Sequence, residues 1–464
     1  QKLFGRFTTT RRDSSDTINT GRQPQFAGDK GGPVILDKSF SWVVGHSWNI
    51  TPSMFNKITI GAAQQRVDFP NTTEGSSFPN NYTIAGLSNP FADLSTQGRD
   101  VDSYTYADDL TWNAGNHILT FGGVYKPIRS EERLANDLNF VSINGNTLTS
   151  SLRPATIRPG SSTATINFDR FMGVLVGRID SIFTNYVYDK QGKALPPGTG
   201  RVRNYIRNDY EVYAQDNWRM RSDLSLNFGL RWQYYAPAYE RDGLQGGNSV
   251  DYQTLLDVRL KNAANGISGD NIEPYATFDL IGKANNRRDV YKADRNNFAP
   301  RIGFAYNPAF ESGILGAIFG NRKTSIRGGA ALVYDRTGGA FNFILDQSSY
   351  IFDNNASRSF FANSAAQTLA TSPRFTGATT LPVQNTPPVS TRPFIPNKNG
   401  LYSGADNYGI SENFVTPYAY QLSFSIQREL PGNFLLDVAW VNRKGRKLFA
   451  QADAISVGHQ CHSN

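Results

Sequence analysis

The sequence is dominated by long runs in which apolar and polar side chains alternate. One run extends from Leu224 to Tyr234 and another from Tyr418 to Ile426, with an apolar or aromatic residue at every second position. Because successive side chains of a strand point to opposite faces, each run predicts a strand of about 10 residues with one apolar and one polar face. No run of roughly 20 apolar residues is present, so the chain is not a helical membrane protein.

Short turns and long connections alternate along the chain. The predicted hairpins turn at short polar segments: 49–53, 113–116, 220–223 and 430–433. The segments between hairpins are long and show little periodicity: 69–102, 191–201, 243–297 and 352–414. Unstructured connections beyond about 15 residues are uncommon in compact domains, yet here they recur on one side of the hairpin order. This asymmetry is typical of outer-membrane β-barrels.

The sequence therefore predicts an all-β fold, an antiparallel up-and-down outer-membrane β-barrel with short turns on one side and long loops on the other. Residues 1–450 form the predicted barrel region, and 451–464 form an irregular C-terminal tail. One strand face would meet lipid and the other a polar lumen, which explains how amphipathic strands occur in a chain with a mean hydropathy of −0.45. Trp112, Trp218 and Trp232 stand at predicted strand ends, where they would form interfacial girdles.

A soluble β-sandwich or β-propeller would also show alternation. Its strands are usually shorter, about 5–6 residues, and its apolar faces do not require aromatic residues at their ends. Strand length, aromatic ends and turn asymmetry together favour the membrane barrel. They predict a location in a Gram-negative outer membrane, with the lipid bilayer as a partner.

Charge and motifs argue against several other functions. The net charge of +8 is spread along the chain without a basic block, so no nucleic-acid partner is predicted. No nucleophile-elbow or P-loop motif is present, and we expect neither an enzyme nor a cofactor. His459, Cys461 and His462 have metal-ligand chemistry but lack a fourth ligand nearby, so we expect no metal site.

Several segments resemble TonB-dependent outer-membrane receptors, in particular the Oar-like branch. YAQDNW at 213–218 followed by LSLNFGLRW at 224–232 is similar to a barrel hairpin of that family. The other similar blocks are LFGRFT at 3–8, NFAPRIGFAY at 297–306, TSIRGG at 324–329, PYAYQ at 417–421 and DVAWVNRKGRKL at 437–448. The order of these blocks, which cover most of the chain, is more specific than any block alone.

The resemblance implies active uptake across the outer membrane. In that family a TonB-type inner-membrane protein supplies energy by pulling on an N-terminal plug. No plug or TonB box is recognisable in the sequence, and its C-terminus lacks the terminal aromatic of such barrels. We therefore expect an internal part of a receptor, a partial barrel whose plug and last strands are missing.

Two groups of side chains are candidates for contacting a ligand. The first is a set of loop aromatics that can stack on sugar rings or grip peptide side chains, or instead pack the loops onto the barrel mouth: Phe352, Phe360, Phe361, Phe375, Phe394, Tyr402 and Tyr408. The second is a set of arginines on predicted lumen faces: Arg231, Arg301 and Arg327. These arginines can guide an anionic solute or contact a plug, or form ion pairs with acids such as Asp216 and Asp335.

The function expected from these patterns is ligand capture by long external loops followed by energised import. The imported ligand, whether peptide, glycan or chelate, is not specified by the sequence. Two other functions remain open: an outer-membrane adhesin or structural surface protein, and a soluble secreted carbohydrate-binding β-protein. The soluble alternative predicts that the apolar face from Leu224 to Trp232 is buried against a second sheet.

Overall fold

The computed structural model describes thirteen segments of the chain. They are residues 1–14, 35–69, 80–84, 97–134, 139–143, 154–156, 163–196, 199–267, 277–336, 351–360, 373–377, 385–395 and 409–450. The candidates Phe361, Tyr402 and Tyr408 and the tail at 451–464 lie outside these segments.

Strands make up most of the described chain. In chain order they are β1 (Lys2–Thr9), β2 (Arg12–Ser14), β3 (Ile35–Asp37), β4 (Phe40–Thr51), β5 (Met54–Phe69), β6 (Asn80–Ile84), β7 (Gln97–Ala114), β8 (His117–Leu134), β9 (Asn139–Ile143), β10 (Ile179–Val187), β11 (Arg201–Arg221), β12 (Leu224–Tyr235), β13 (Tyr239–Glu240), β14 (Gly246–Asn248), β15 (Phe278–Leu280), β16 (Asn297–Tyr306), β17 (Thr324–Tyr334), β18 (Asp353–Ser359), β19 (Tyr418–Leu430) and β20 (Phe434–Arg446). In the described residues, three α-helices accompany them: α1 (Thr163–Leu175), α2 (Tyr252–Ala264) and α3 (Gly313–Phe319), with a short 3-10 helix at Lys283–Asn285.

One large sheet organises the molecule. Its strands pair in the order β1-β4-β5-β7-β8-β11-β12-β16-β17-β19-β20, with β2, β3 and β13 attached to its margins. Every pair in that sheet is antiparallel. The order of strands in space follows the order in the chain, which confirms the predicted up-and-down arrangement. The sheet is not closed on itself in the described residues.

The two ends of the large sheet differ as predicted. At one end, tight turns at 52–53, 115–116, 222–223 and 431–433 join neighbouring strands. Gly115 and Gly432 adopt positive φ angles in two of these turns, a backbone conformation that glycine adopts without steric cost. At the other end, longer connections carry α1, α2 and a second sheet in the order β18-β10-β9-β6. The exception is the connection from β16 to β17, which lies at the short-turn end and contains α3.

The two faces of the large sheet have different chemistry. On β12, Leu226, Phe228 and Leu230 project to one face, whereas Asn227 and Arg231 project to the other. The apolar rows continue across neighbouring strands because the register is regular, and most of their large side chains are exposed: Val44, Ile58, Phe121, Val212, Phe228, Leu230, Ile302, Phe304, Leu422, Phe424, Val438 and Trp440. A continuous exposed apolar face of this size fits contact with lipid rather than water.

A band of stacked aromatic rings crosses the lipid-facing surface toward the long-loop end. Tyr106, Tyr125, Tyr210 and Tyr234 occupy directly opposed positions on β7, β8, β11 and β12. Successive ring centroids are 6.0, 5.1 and 6.1 Å apart. Near the short turns, the His117 ring stacks on Trp218 with a centroid separation of 5.3 Å. In this part of the sheet, aromatic side chains therefore border the apolar band on both sides, at the strand ends where the sequence predicted interfacial girdles.

The buried apolar cores lie among the long connections, and the large sheet contributes Tyr205 of β11 to one of them. One core joins residues of β11 to the segments that follow β12 and precede β19: Tyr205, Ala238, Ile281, Val290, Tyr291 and Ile410. A second lies around the smaller sheet: Val141, Ile143, Ile179, Ile182 and Phe360. The third contains α2 and its neighbours: Leu255, Phe278, Ile351, Phe352 and Phe394. Within the described residues, no helix combines the length and apolar character needed to cross a membrane.

The face assignment predicts unequal effects of a charge at two adjacent positions of β19. Leu422→Lys places an ammonium group on the lipid-facing side, which costs roughly 2–4 kcal/mol near the bilayer midplane. The matched variant Ser423→Lys places it on the lumen side, where we expect a change below about 1 kcal/mol. Denaturant unfolding of the full-length protein in lipid vesicles measures both. Equal destabilisation by the two variants would contradict the face assignment.

Candidate functional site in the lumen and beneath the outer loops

A row of alternating charges lies on the lumen face of β11 and β12 and includes Arg336, which follows the end of β17. The Glu211 carboxylate accepts a 2.8 Å hydrogen bond from Arg231 Nη1 and a 2.6 Å bond from Arg336 Nη2. Asp209 lies two residues along β11, on the same face, and its Oδ2 is 3.3 Å from Arg336 Nε. Its Oδ1 is 3.0 Å from Arg207 Nε. We call these five side chains the lumen charge row.

The acids of the lumen charge row are more deeply buried than its central arginines. The side chains of Asp209 and Glu211 are 1% and 8% exposed, whereas those of Arg231 and Arg336 are 34% and 37% exposed. The guanidinium groups therefore cover the carboxylates on the lumen side. A solute approaching this wall would meet positive charge first, although the row is nearly neutral as a whole.

An aromatic ring extends the lumen charge row across β8 to β7. The guanidinium carbon of Arg231 lies 4.7 Å from the centroid of the Tyr213 ring, a cation–π contact. The Tyr213 hydroxyl donates a hydrogen bond to Asp109 on β7. The ring can span β8 because Gly122 stands beneath it, where a Cβ atom would collide with the phenol. A glycine in mid-strand here marks a close approach of a side chain.

The three predicted lumen arginines all lie on the lumen face, but their contacts differ. Arg231 belongs to the lumen charge row. Arg301 lies over Gly229, whose missing side chain leaves space for its guanidinium. Arg327 donates to Ser325 Oγ at 3.2 Å. Among the described residues, Arg231 forms an ion pair with an acid, whereas Arg301 and Arg327 form none.

The acids that pair with Arg231 and Arg336 are not those considered from the sequence. Asp216 projects to the opposite face of β11, where its Oδ2 is 2.7 Å from His117 Nδ1. Asp335 follows the end of β17, and its backbone amide donates to Pro417 O. Glu211 is at an odd-numbered position of β11, as are the other lumen-facing residues of that strand, so the sequence could have identified Glu211 as a lumen residue. The register between β11 and β12, which places Arg231 near Glu211, could not be read from the spacing of residues.

The long connections fold into a cover that packs against the lumen side of β11. Arg203 has the same strand parity as Asp209 and Glu211, and its side chain is almost fully buried. Its guanidinium carbon is 5.2 Å from the centroid of the Phe352 ring, and that of Arg392 is also 5.2 Å from this centroid. Asp353 accepts hydrogen bonds from Arg201 Nη1 at 3.0 Å and Arg203 Nη2 at 3.4 Å. These contacts fix the cover to the outer part of β11.

The structure separates the predicted loop aromatics into two groups. Phe352, Phe360 and Phe394 are buried within the second and third cores. In this structure these rings therefore pack the connecting segments together, which is one of the two roles considered for them. Phe375 is exposed, and its backbone amide donates to Gly177 O at 2.6 Å. The exposed ring is therefore held by an ordered backbone. Its role in binding a ligand stays a prediction, as do those of Phe361, Tyr402 and Tyr408.

A buried carboxyl group in the cover was not anticipated from the sequence. Asp180 is fully buried at an irregular position of β10, and neither of its carboxylate oxygens has a hydrogen-bond partner among the described residues. Burial raises the pKa of Asp180 to about 7, and the positive charge of Arg178 opposes this rise only in part. Arg178 is itself buried and donates to Phe360 O at 3.2 Å. No grouping of three or more potential metal ligands occurs in the described part of the chain.

The lumen charge row predicts a specific loss of stability. Glu211→Gln removes the carboxylate that two guanidinium groups share, and we expect the free energy of unfolding to fall by about 1–3 kcal/mol. Asp437→Asn, on the exposed lumen side of β20, is the matched control and should change it by less than about 0.5 kcal/mol. Unfolding of the full-length protein in vesicles gives both values. A Glu211→Gln protein as stable as the control would show that the row contributes no net stability.

The buried carboxyl predicts a pH dependence of the cover. Its pKa in the folded state lies above the usual value near 3.8, so folding favours the protonated form. The contribution of Asp180 to the free energy of unfolding is fully present below about pH 4 and is lost as the pH rises through about 7. Hydrogen exchange of β10 amides, corrected for the intrinsic effect of pH, should therefore show more opening at pH 8 than at pH 5. Asp180→Asn should abolish the difference, whereas Asp257→Asn, at an exposed position of α2, should not. Unchanged pH dependence in Asp180→Asn would refute the assignment.

Comparison with known proteins gives one family and several structures. Residues 1–458 match the model of the outer membrane beta barrel domain family. No curated protein matches the chain. Similar solved structures include the outer membrane transporter YddB from Escherichia coli, with 14% identity, a TM-score of 0.45, and 96% of this chain and 37% of that chain covered.

Two further solved structures are similar over nearly the whole chain. One is the ferric-catecholate import receptor Fiu from E. coli in its closed form, with 13% identity, a TM-score of 0.38, and 98% of this chain and 50% of that chain covered. The other is the siderophore receptor PiuA from Acinetobacter baumannii, with 9% identity, a TM-score of 0.30, and 95% and 52% covered. The chain thus spans about 37–52% of the length of these three proteins. The family match over nearly all of its length, together with the antiparallel sheet and its lipid-facing band, shows that the chain belongs to the outer-membrane β-barrel domain family.

Proposed function

We propose that this chain forms the lumen wall and outer cover of a receptor that imports a ligand across the outer membrane. The ligand would be captured among the outer loops and then pass along the lumen face. A TonB-type inner-membrane protein would supply the energy. The partner and the direction of transport rest on the resemblance of the strand motifs to TonB-dependent receptors.

The single observation that carries this proposal is the arrangement of the lumen charge row. Arginine side chains lie over buried acids, so the lumen wall offers guanidinium groups to a passing solute. Guanidinium groups bind carboxylate and phosphate oxygens with two parallel hydrogen bonds. The wall therefore suits a ligand that carries anionic groups, such as an acidic peptide, an acidic glycan or an anionic chelate.

The cover supports a role in ligand capture. Its three buried cores hold the connecting segments in defined positions rather than as extended surface loops. Phe375 presents an exposed ring from this ordered surface. A preorganised surface loses less conformational entropy when it binds a ligand. We include Phe375, together with Phe361, Tyr402 and Tyr408, among the residues proposed to contact the ligand.

The other functions expected from the sequence fit the structure less well. A soluble carbohydrate-binding protein would bury the apolar face of β12 against a second sheet, but Phe228 and Leu230 on that face are exposed. An adhesin would use the outer surface of the loops and would have no need for guanidinium groups along the lumen. The second sheet, β18-β10-β9-β6, belongs to the cover and does not bury the lipid-facing band, as the soluble alternative would require.

Energised import can be tested without knowing the ligand in advance. Cells that carry the complete gene and cells that lack it are grown in the same medium, and compounds removed from the medium are compared by mass spectrometry. We expect at least one anionic compound to be taken up only by cells with the gene, and a protonophore to stop that uptake. Uptake that is equal in both strains would contradict the import function.

A matched pair of variants connects the uptake to the lumen wall. Arg231→Gln removes a guanidinium that faces the lumen, and we expect several-fold slower uptake of the same compound. Arg322→Gln changes an exposed arginine of the connection from β16 to β17, at the short-turn end and outside the proposed capture surface, and should leave uptake unchanged. Equal uptake in the Arg231→Gln and Arg322→Gln strains, at equal surface levels of protein, would exclude the lumen charge row from the path.

A further inference from the structure

The connection from β16 to β17 carries an exposed apolar helix at the short-turn end of the sheet. Helix α3 has the sequence GILGAIF without a charged or polar side chain. Ile314, Leu315 and Ile318 are exposed, Ile314 by 80% of its surface. Because Ile314 and Ile318 are one turn apart and Leu315 is three residues before Ile318, these side chains share one face of the helix.

Helix α3 lies toward the lipid-facing side of the sheet. Arg428 has the same strand parity as the lipid-facing Phe424 and Ile426, and its Nη2 donates to Ala317 O at 3.0 Å. Thr324 is paired with Arg428 in the register and shares that face, and its Oγ1 donates to Phe319 O at 2.7 Å. Side chains of the lipid-facing rows therefore hold α3 at the edge of the lipid-facing band.

Basic and aromatic side chains border this helix. Arg322 and Lys323 follow it and are exposed, and Arg221 lies 5.9 Å from the Tyr306 ring centroid. Three acids also lie in this region: Glu311 and Glu429 are exposed, and Asp223 pairs with Arg221 at 3.2 Å. Arg322 and Lys323 form no ion pair among the described residues. Their charges are available to the phosphate groups of a membrane surface.

We propose that α3 is an interfacial anchor that binds phospholipid of the periplasmic leaflet. Short turns of outer-membrane barrels face the periplasm, which places α3 at that surface. Its apolar face would enter the boundary between headgroups and acyl chains, as the apolar faces of interfacial helices do. Arg322 and Lys323 would contact the phosphate groups. This inference concerns the membrane surface and does not depend on the proposed import.

Fluorescence quenching of a label on α3 tests the proposal directly. In the full-length protein every native cysteine, Cys461 among them, is replaced by serine, so that a single introduced cysteine carries an environment-sensitive fluorophore. The test position is Leu315→Cys. The controls are neighbours on β19: Ile426→Cys on the lipid-facing side and Ser425→Cys on the lumen side. Each protein is reconstituted in phosphatidylethanolamine vesicles with phosphatidylglycerol, and heat-modifiable gel mobility confirms that it is folded.

The two quenchers distinguish lipid from water. A phospholipid with a spin label high in its acyl chain should quench the label at 315 to within about twofold of that at 426, whereas aqueous iodide should quench mainly the label at 425. If iodide quenches position 315 as it does 425, α3 faces water and the proposal is wrong. Protection of position 315 from both quenchers would place a protein segment on α3, and would also overturn it.

A charge variant tests the phosphate contact separately. Arg322→Gln combined with Lys323→Gln should weaken lipid quenching at position 315 in vesicles that contain phosphatidylglycerol. The same double variant should change quenching little in vesicles of neutral lipid alone. Equal quenching in the presence and absence of the two basic residues would leave no role for them in binding the headgroups, and would contradict that part of the proposal.

Discussion

Backbone hydrogen bonding between neighbouring strands is the constraint on which the other features of this structure depend. A hydrocarbon environment offers no partner for N–H and C=O groups, so membrane-crossing strands must satisfy one another. The eleven-strand path from β1 to β20 does so through antiparallel ladders between all neighbours, and only the outer edges of β1 and β20 have no neighbouring strand in the described residues. The same ladders fix which residues share a face. The separation of a lipid-facing apolar band from a polar lumen wall follows from that register.

The lumen charge row shows how the register produces chemistry. Tyr213 stands directly opposite Arg231 on β12 and Gly122 on β8, and Gly122 stands opposite Asp109 on β7. Four strands thus contribute to one contact chain, although its residues lie between positions 109 and 231 of the sequence. Buried acids hold the guanidinium groups in position, since breaking such a pair would leave an uncompensated buried charge. The result is a lumen wall with fixed positive groups.

The cover and helix α3 depend on the sheet in different ways. The cover has its own apolar cores and is attached through Arg203 and Tyr205 on the lumen side of β11. The interior of the cover contains the buried carboxyl group of Asp180, and burial favours the neutral form of that group. Helix α3 has no core of its own and is held by side chains from the lipid-facing rows. This attachment places α3 beside the membrane-facing surface.

The sequence by itself determined the strand faces, because alternation with a period of two is a local property that the pleat converts directly into two surfaces. It also determined which end would carry the tight turns, and placed Arg231, Arg301 and Arg327 on the lumen side. Only the tertiary structure decided that Glu211 pairs with Arg231, that the buried Phe352 ring contacts two guanidinium groups, and that Asp180 has no hydrogen-bond partner among the described residues. These features depend on the register between strands and on the packing of distant connections, and neither is encoded in the spacing of residues along one strand.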